Sequence, residues 1–472
     1  VRHPDWTAYE AGIGRYMQAY GVPGVAVGVA VGGELVYFRG FGHRDRERGL
    51  PVTQDTIFGI GSITKSFTSM AIMQLAERGE LALGDAVRKY LPGFRLGKGD
   101  AADEISIHHL LTHTTGMPPL PTLMNCMARS MQADPALAAG PGAARIQALV
   151  PVDGLDQMLD FVAALGIEPL APPGAMFSYW NEGYALAGGI IETITGQKYE
   201  QYITEQILQP AGMAKSVFDL SGLAPESDIT TLYSGEPGSD DPAKVRATPM
   251  WWESPAMAAA GFLRSTVGDM LRYLEIYRNA GLVGDRQVVG AHSIRRMTSP
   301  YSRMAGYDIG YGYGLTIHPN YHGVSLVEHG GGIKGVSAYV TWVPERGITA
   351  VLLTNLAGLP SGQMLLGAVN TVLGLPVETR KLPLDDYECP ADRLGEYAGV
   401  YASGEGAHVQ VAPDGDSLSF TVEGKGYRAR PVGVDTFAVR MREDEPVVRF
   451  VHNHAGEVWA AEFGGRTIPR LK

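Results

Sequence analysis

The sequence predicts an α+β protein that ends in an all-β sandwich or small barrel. Three observations carry this. Alternating apolar runs at 24–42 and 324–356 bracket a stretch of helical patterns, so the chain reads as a β hairpin, a helical middle and a β return. The run from Ile63 to Ala76 is apolar nearly all round, which calls for a helix buried on every side. Beyond about residue 376, short alternating segments follow one another at regular intervals, separated by polar or glycine turns.

Taken in order, "GVAVGVAVGGELVYFRGFG" (24–42) is two strand-like runs joined at Gly32-Gly33, a hairpin signal. The buried helix follows, and Gly79 is placed to close it in a left-handed cap. "SIHHLLTHTTG" (106–116) reads as a short helix with Ser106 as N-cap and Gly116 as stop. A long segment rich in Pro, Met and Ala then reads as irregular, and segments of that length in a compact domain serve as lids, binding loops or insertions. "NEGYALAGGIIETITG" (181–196) is a helix with Asn181 as N-cap, and 324–356 alternates like three antiparallel strands with turns at Gly330 to Gly332 and Pro344 to Gly347. "GQMLLGAVNTVLGL" is a last helix. The expected division is a first domain over 1–375, a linker over 376–392 and a β domain over 393–472.

Composition narrows the partners. Of 472 residues 45% are hydrophobic and 19% charged, as in an ordinary globular protein, and the formal net charge of −11 argues against nucleic acid or an anionic membrane surface. Cys126 and Cys389 are far apart and suggest neither a disulfide framework nor a metal pair. No run of about 20 apolar residues is present, so no membrane span is expected. The opening "VRHPDWTAYE" lacks a signal-peptide pattern, which inclines the reading toward the cytoplasm; Val1 suggests a trimmed end or an unusual start.

Three short stretches could carry chemistry. Ser62 and Lys65, in "GSITK", share one face at the mouth of the greasy helix. A serine hydroxyl needs a group to take its proton, and a lysine in a dry pocket loses its preference for charge. A helix N-terminus also offers N–H groups to a developing oxyanion. Alone, this pair reads more readily as a capping serine and a surface lysine in the first turn. Tyr179 and Asn181, in "FSYWNEGY", offer a phenol for proton transfer and an amide to hold a carbonyl, against the plain alternative of a core tyrosine beside a cap. His329, in "VEHGGGIKG", precedes three glycines that allow close approach to the backbone, or simply form a tight hairpin.

In this order and spacing, the three stretches resemble the motifs of the serine β-lactamase-like superfamily, which includes class C β-lactamases, penicillin-binding carboxypeptidases, D-aminopeptidases and esterases. "ISIHHLLTHTTGMP", "LQPAGM", "AAAGFLRSTVGDM" and "YGYGL" add to a likeness covering about 10–372. The resemblance implies an antiparallel sheet flanked by helices with an all-helical subdomain. It implies Ser62 as acylated nucleophile, Lys65 as its helper, Tyr179 as general base or proton shuttle, and Asn181 against the substrate carbonyl. The oxyanion hole would be the N–H groups of Ser62 and Gly332, and His329, Gly330, Gly331, Trp180 and Trp252 would line the site.

One departure matters. Members that bind free carboxylates carry Lys-Thr-Gly at the third motif, whereas here the position is His329 followed by Gly330. That favours a D-aminopeptidase-like enzyme cleaving amides of small peptides or amino-acid amides, with a carboxylesterase as the alternative and a β-lactamase or D-Ala-D-Ala carboxypeptidase less favoured. No cofactor or metal is expected; the four-residue spacing of His109 and His113 lacks the carboxylate of a zinc-protease motif. Self-association into a homo-oligomer is left open. The segment 117–175 is expected to roof the cleft and set substrate size, and "LGEYAGVY" gives the C-terminal domain a lipocalin-like character.

Overall fold

A computed structural model describes residues 4–471 except 98, 100, 139, 141, 225, 305–308, 383 and 423; the expectation about Val1 lies outside the described residues. A nine-stranded antiparallel sheet organises the first part of the chain. Its strand Gly24–Val31 pairs on one side with Glu34–Asp45 and on the other with Ile348–Thr354, so the hairpin and the β return meet in one sheet. Gly32 and Gly33 both have positive φ at the hairpin turn, as that backbone requires.

Apolar side chains cover both faces. The helices Thr7–Tyr20 and Ser361–Leu373 pack together on one face, the second of them directly on the sheet. Against the other lies Val267–Arg278, and beyond it the helix Thr64–Glu77, in which every residue from Thr64 to Leu75 is buried. Gly79 has φ 72°, and a helical layer built around Asn181–Thr195 completes that side.

The structure corrects three local expectations. Gly330 to Gly332 do not turn: they run inside the strand Val324–Ile333, and the hairpin turns at Lys334-Gly335. The segment 117–175 is not irregular, since it contains the helices Thr122–Cys126, Ala128–Ala133, Pro135–Ala138, Ala143–Gln147 and Leu155–Leu165. Its short turns of helix, broken by Pro and Gly, leave no amphipathic period to read. Asn181 is the first helical residue and Trp180 the cap, while Ser106 does cap Ile107–Leu111, which ends before Gly116.

The C-terminal part is an eight-stranded antiparallel meander from Gly399 to Pro469. A bridge between Tyr401 and Arg470 brings first and last strands together, so the sheet nearly closes into a barrel around Tyr397, Tyr401, Phe420, Phe437 and Phe450. Among the described residues no helix is long and apolar enough to cross a membrane.

Candidate active site

Ser62 sits in a single 3-10 turn, Gly61–Ile63, that feeds directly into the buried helix Thr64–Glu77. Gly61 has φ 51°, and a Cβ there would stand 2.6 Å from the Gly332 amide nitrogen. Gly331 is equally constrained, since any side chain would strike the Ile60 carbonyl. The glycines let the strand Val324–Ile333 pass hard against the Ser62 turn, so the amide of Gly332 and the serine share one small space.

Lys65 is completely buried one turn on. Its Nζ lies 3.0 Å from Ser62 Oγ, 2.9 Å from Asn181 Oδ1 and 2.6 Å from the Ala260 carbonyl oxygen. Burial, with the Arg466 guanidinium nearby, holds its pKa well below the usual lysine value. All three neighbours can accept from the Lys65 Nζ group, and the Ser62 hydroxyl can instead donate to its lone pair when the amine is neutral, the form that burial favours.

Tyr179 stands over the same amine, its ring centroid 4.9 Å from Lys65 Nζ. Burial raises its pKa, against the opposing pull of a Ser62 hydrogen bond and Arg466, so the group is held as a phenol. His113 packs behind it at 4.0 Å between ring centroids, accepting the Trp180 N–H on Nδ1 at 3.1 Å. His109 instead completes the capping box at Ser106.

His329 lies 6.4 Å from the Tyr179 ring, between centroids. Its Nδ1 is 2.6 Å from the Gly330 carbonyl, so Nδ1 carries the proton, and Nε2 accepts from the Tyr311 hydroxyl at 2.9 Å. Burial and Lys65 drive its pKa down to about 3. It is a neutral wall behind Tyr179 rather than a cation. Two aromatic expectations fare differently. Trp180 is buried in the main core beside Phe94, not in the cleft, because its backbone direction at the helix cap turns the indole inward. Trp252 is half-buried and donates its Nε1–H to Asp134 at 2.8 Å.

Sequence reasoning missed the contribution of the barrel. The turn between its first two strands carries Glu405, whose Oε1 accepts from Asn181 Nδ2 at 2.7 Å. Its last strand, Arg466–Pro469, opens with Arg466, which pairs with Glu405 at 2.8 Å and stands 4.8 Å over the Tyr179 ring. The Tyr179 N–H bonds the Gly465 carbonyl at 2.9 Å, and the Gly404 N–H bonds the Pro119 carbonyl at 3.0 Å. Both charges stand beside glycines at hairpin tips, in "SGEGA" and "FGGR", and that was the signal on offer. Glu182, next to Asn181, was also passed over: it is fully buried, and burial together with Glu405 pushes its carboxyl up to about 8.

This fold, with a serine and a buried lysine beneath a glycine-rich strand, defines a serine hydrolase acting on esters or amides. The Beta-lactamase family model matches residues 10–370, and the chain belongs to that family. It is 30% identical over 344 residues to Penicillin-binding protein 4 of Amycolatopsis lactamdurans, covering 71% of this chain and 81% of that one. To Esterase EstB of Burkholderia gladioli it is 30% identical over 354 residues, covering 70% and 85%. The octameric penicillin-binding protein homologue from Pyrococcus abyssi superposes with TM-score 0.71 at 29% identity, covering 98% of this chain and 99% of that one, so its likeness includes the barrel.

Proposed function

We propose that this serine hydrolase cleaves the amide bond of small peptides or amino-acid amides in the manner of a D-aminopeptidase. In this reading Lys65, as free amine, takes the Ser62 proton while Ser62 Oγ adds to the substrate carbonyl. The oxyanion rests on the N–H groups of Ser62 and Gly332. The C–N bond breaks as Tyr179 gives its phenolic proton to the leaving amine, and the proton on Lys65 restores the phenol. Water then cleaves the acyl-enzyme by the reverse route. Asn181 aligns Lys65 and the acyl carbonyl.

The observation that carries the substrate class is the Glu405–Arg466 pair set against Asn181 and Tyr179. Charged groups at the reacting centre suit a small substrate with a charged end better than a long acyl chain. The neutral His329, with both ring nitrogens engaged, supplies no cation of the Lys-Thr-Gly kind. A D-stereospecific amidohydrolase from Streptomyces is among the similar structures, at TM-score 0.60 and 25% identity, covering 77% of this chain and 98% of that one. The test is kcat/KM across D- and L-alanine p-nitroanilides, p-nitrophenyl acetate and nitrocefin. The D-anilide is expected to lead. Ester turnover with no anilide turnover would instead support the carboxylesterase reading, which the likeness to EstB favours.

A further inference from the structure

The segment 117–135 is anchored at two points, one beside the contacts of Asn181 and one near Gly332. At one end Pro119 accepts from Gly404, beside the Glu405 that bonds Asn181. At the other, Asp134 pairs with Lys334, two residues past Gly332 at the tip of the hairpin. We propose that the Asp134–Lys334 pair is a specificity-determining latch, which holds this roof shut and limits the size of the acyl group that reaches Ser62. The proposal rests on the serine-hydrolase reading above.

The latch is built as a buried node. The side chains of Asp134 and Lys334 are 1% and 6% exposed, too little for water to replace either partner. Asp134 Oδ2 also accepts from Trp252 Nε1 at 2.8 Å, and Lys334 donates to the Met250 carbonyl at 2.8 Å. The clamped strip 250–254 is bonded to the same segment. Ser254 Oγ donates to the Cys126 carbonyl at 2.8 Å, and Ser130 Oγ bonds the Glu253 backbone in both directions, at 2.8 and 3.0 Å. The strip then continues into Ala258–Gly261, whose Ala260 carbonyl receives Lys65. Buried ion pairs add little net stability over apolar packing, but they can fix a single registry, and removing one partner is costly. Here the registry fixed is that of the 117–135 segment against the hairpin tip beside Gly332. With one charge removed, the roof loses its hold at that end and longer acyl groups gain entry.

The test compares kcat/KM for p-nitrophenyl acetate and p-nitrophenyl octanoate in the wild type, Lys334→Met, Asp134→Asn and the conservative Lys334→Arg. The octanoate-to-acetate ratio is expected to rise about tenfold or more in the first two variants and to return toward wild type in Lys334→Arg. A ratio unchanged in both charge-removing variants, with the acetate turned over, overturns the latch alone. Should those variants fail to fold, wild-type protein labelled with an ethyl or an octyl fluorophosphonate gives the same answer; Ser62 Oγ bonds phosphorus and fluoride leaves. Amide hydrogen exchange over 122–134 is expected to be faster with the octyl label, and equal exchange overturns the proposal. Wild type that neither hydrolyses the acetate nor takes the phosphonate overturns the hydrolase reading and the latch with it.

Discussion

At the scale of single residues, Lys65 and Glu182 are two buried titratable groups at the site whose surroundings disfavour charge. Lys65 Nζ is within hydrogen-bond reach of Asn181, Ala260 and Ser62, and in the proposed mechanism its lone pair takes the Ser62 proton. Glu182 is the other, with its carboxyl at about 8 where an ordinary glutamate titrates near 4.5. In that interval the unfolded chain has released the proton and the folded protein still holds it, so this group lowers stability as pH rises from 4.5 toward 8. Its contribution is fully present at acid pH and lost as pH rises through the folded pKa. Glu182→Gln keeps the shape and removes the titration. The variant is expected to gain little melting temperature near pH 5 and progressively more toward pH 8, read by thermal unfolding across that range. A gain independent of pH would show that burial of the ionisable proton is not the cause.

At the scale of elements, what the sequence made legible followed local rules. The helix after Ser62, the Gly32-Gly33 hairpin, the strand carrying His329 and the barrel meander each announced themselves by period or by punctuation. The glycine triplet misled because glycine serves two ends. A tight turn needs its free φ, and a strand pressed against another backbone needs its missing side chain; only the position of the Ile60 carbonyl tells the two apart. Trp180 misled through its neighbours, since adjacent residues at a helix start face different ways and only Tyr179 and Asn181 face Lys65. Glu405 and Arg466 lie more than 200 positions from Asn181 along the chain, and no local pattern reports a contact of that range.

At the scale of the whole molecule, the barrel reaches into the candidate site through Glu405 and Arg466, so the joint between the two sheets matters. Lys381, on the segment between them, reaches back to Glu328, the residue before His329, at 2.6 Å, and to the Tyr339 hydroxyl at 3.2 Å. Glu328 is fully buried and takes a further bond from Thr341 at 2.9 Å. Lys381→Met strands that carboxylate, and a loss of about 3–5 kcal/mol in denaturant unfolding is expected, most of it recovered in the double variant Glu328→Gln/Lys381→Met. No loss in the single variant would mean that the linker is held by other contacts. The central claim is narrower: chemistry begins at Ser62, with Lys65 as its base. Mass spectrometry of the protein quenched during turnover of a D-alanine ester tests it most directly. The account predicts an acyl adduct on the peptide containing Ser62, absent in Ser62→Ala and strongly reduced in Lys65→Met. Turnover with no adduct, or an adduct that persists in Ser62→Ala, would contradict it.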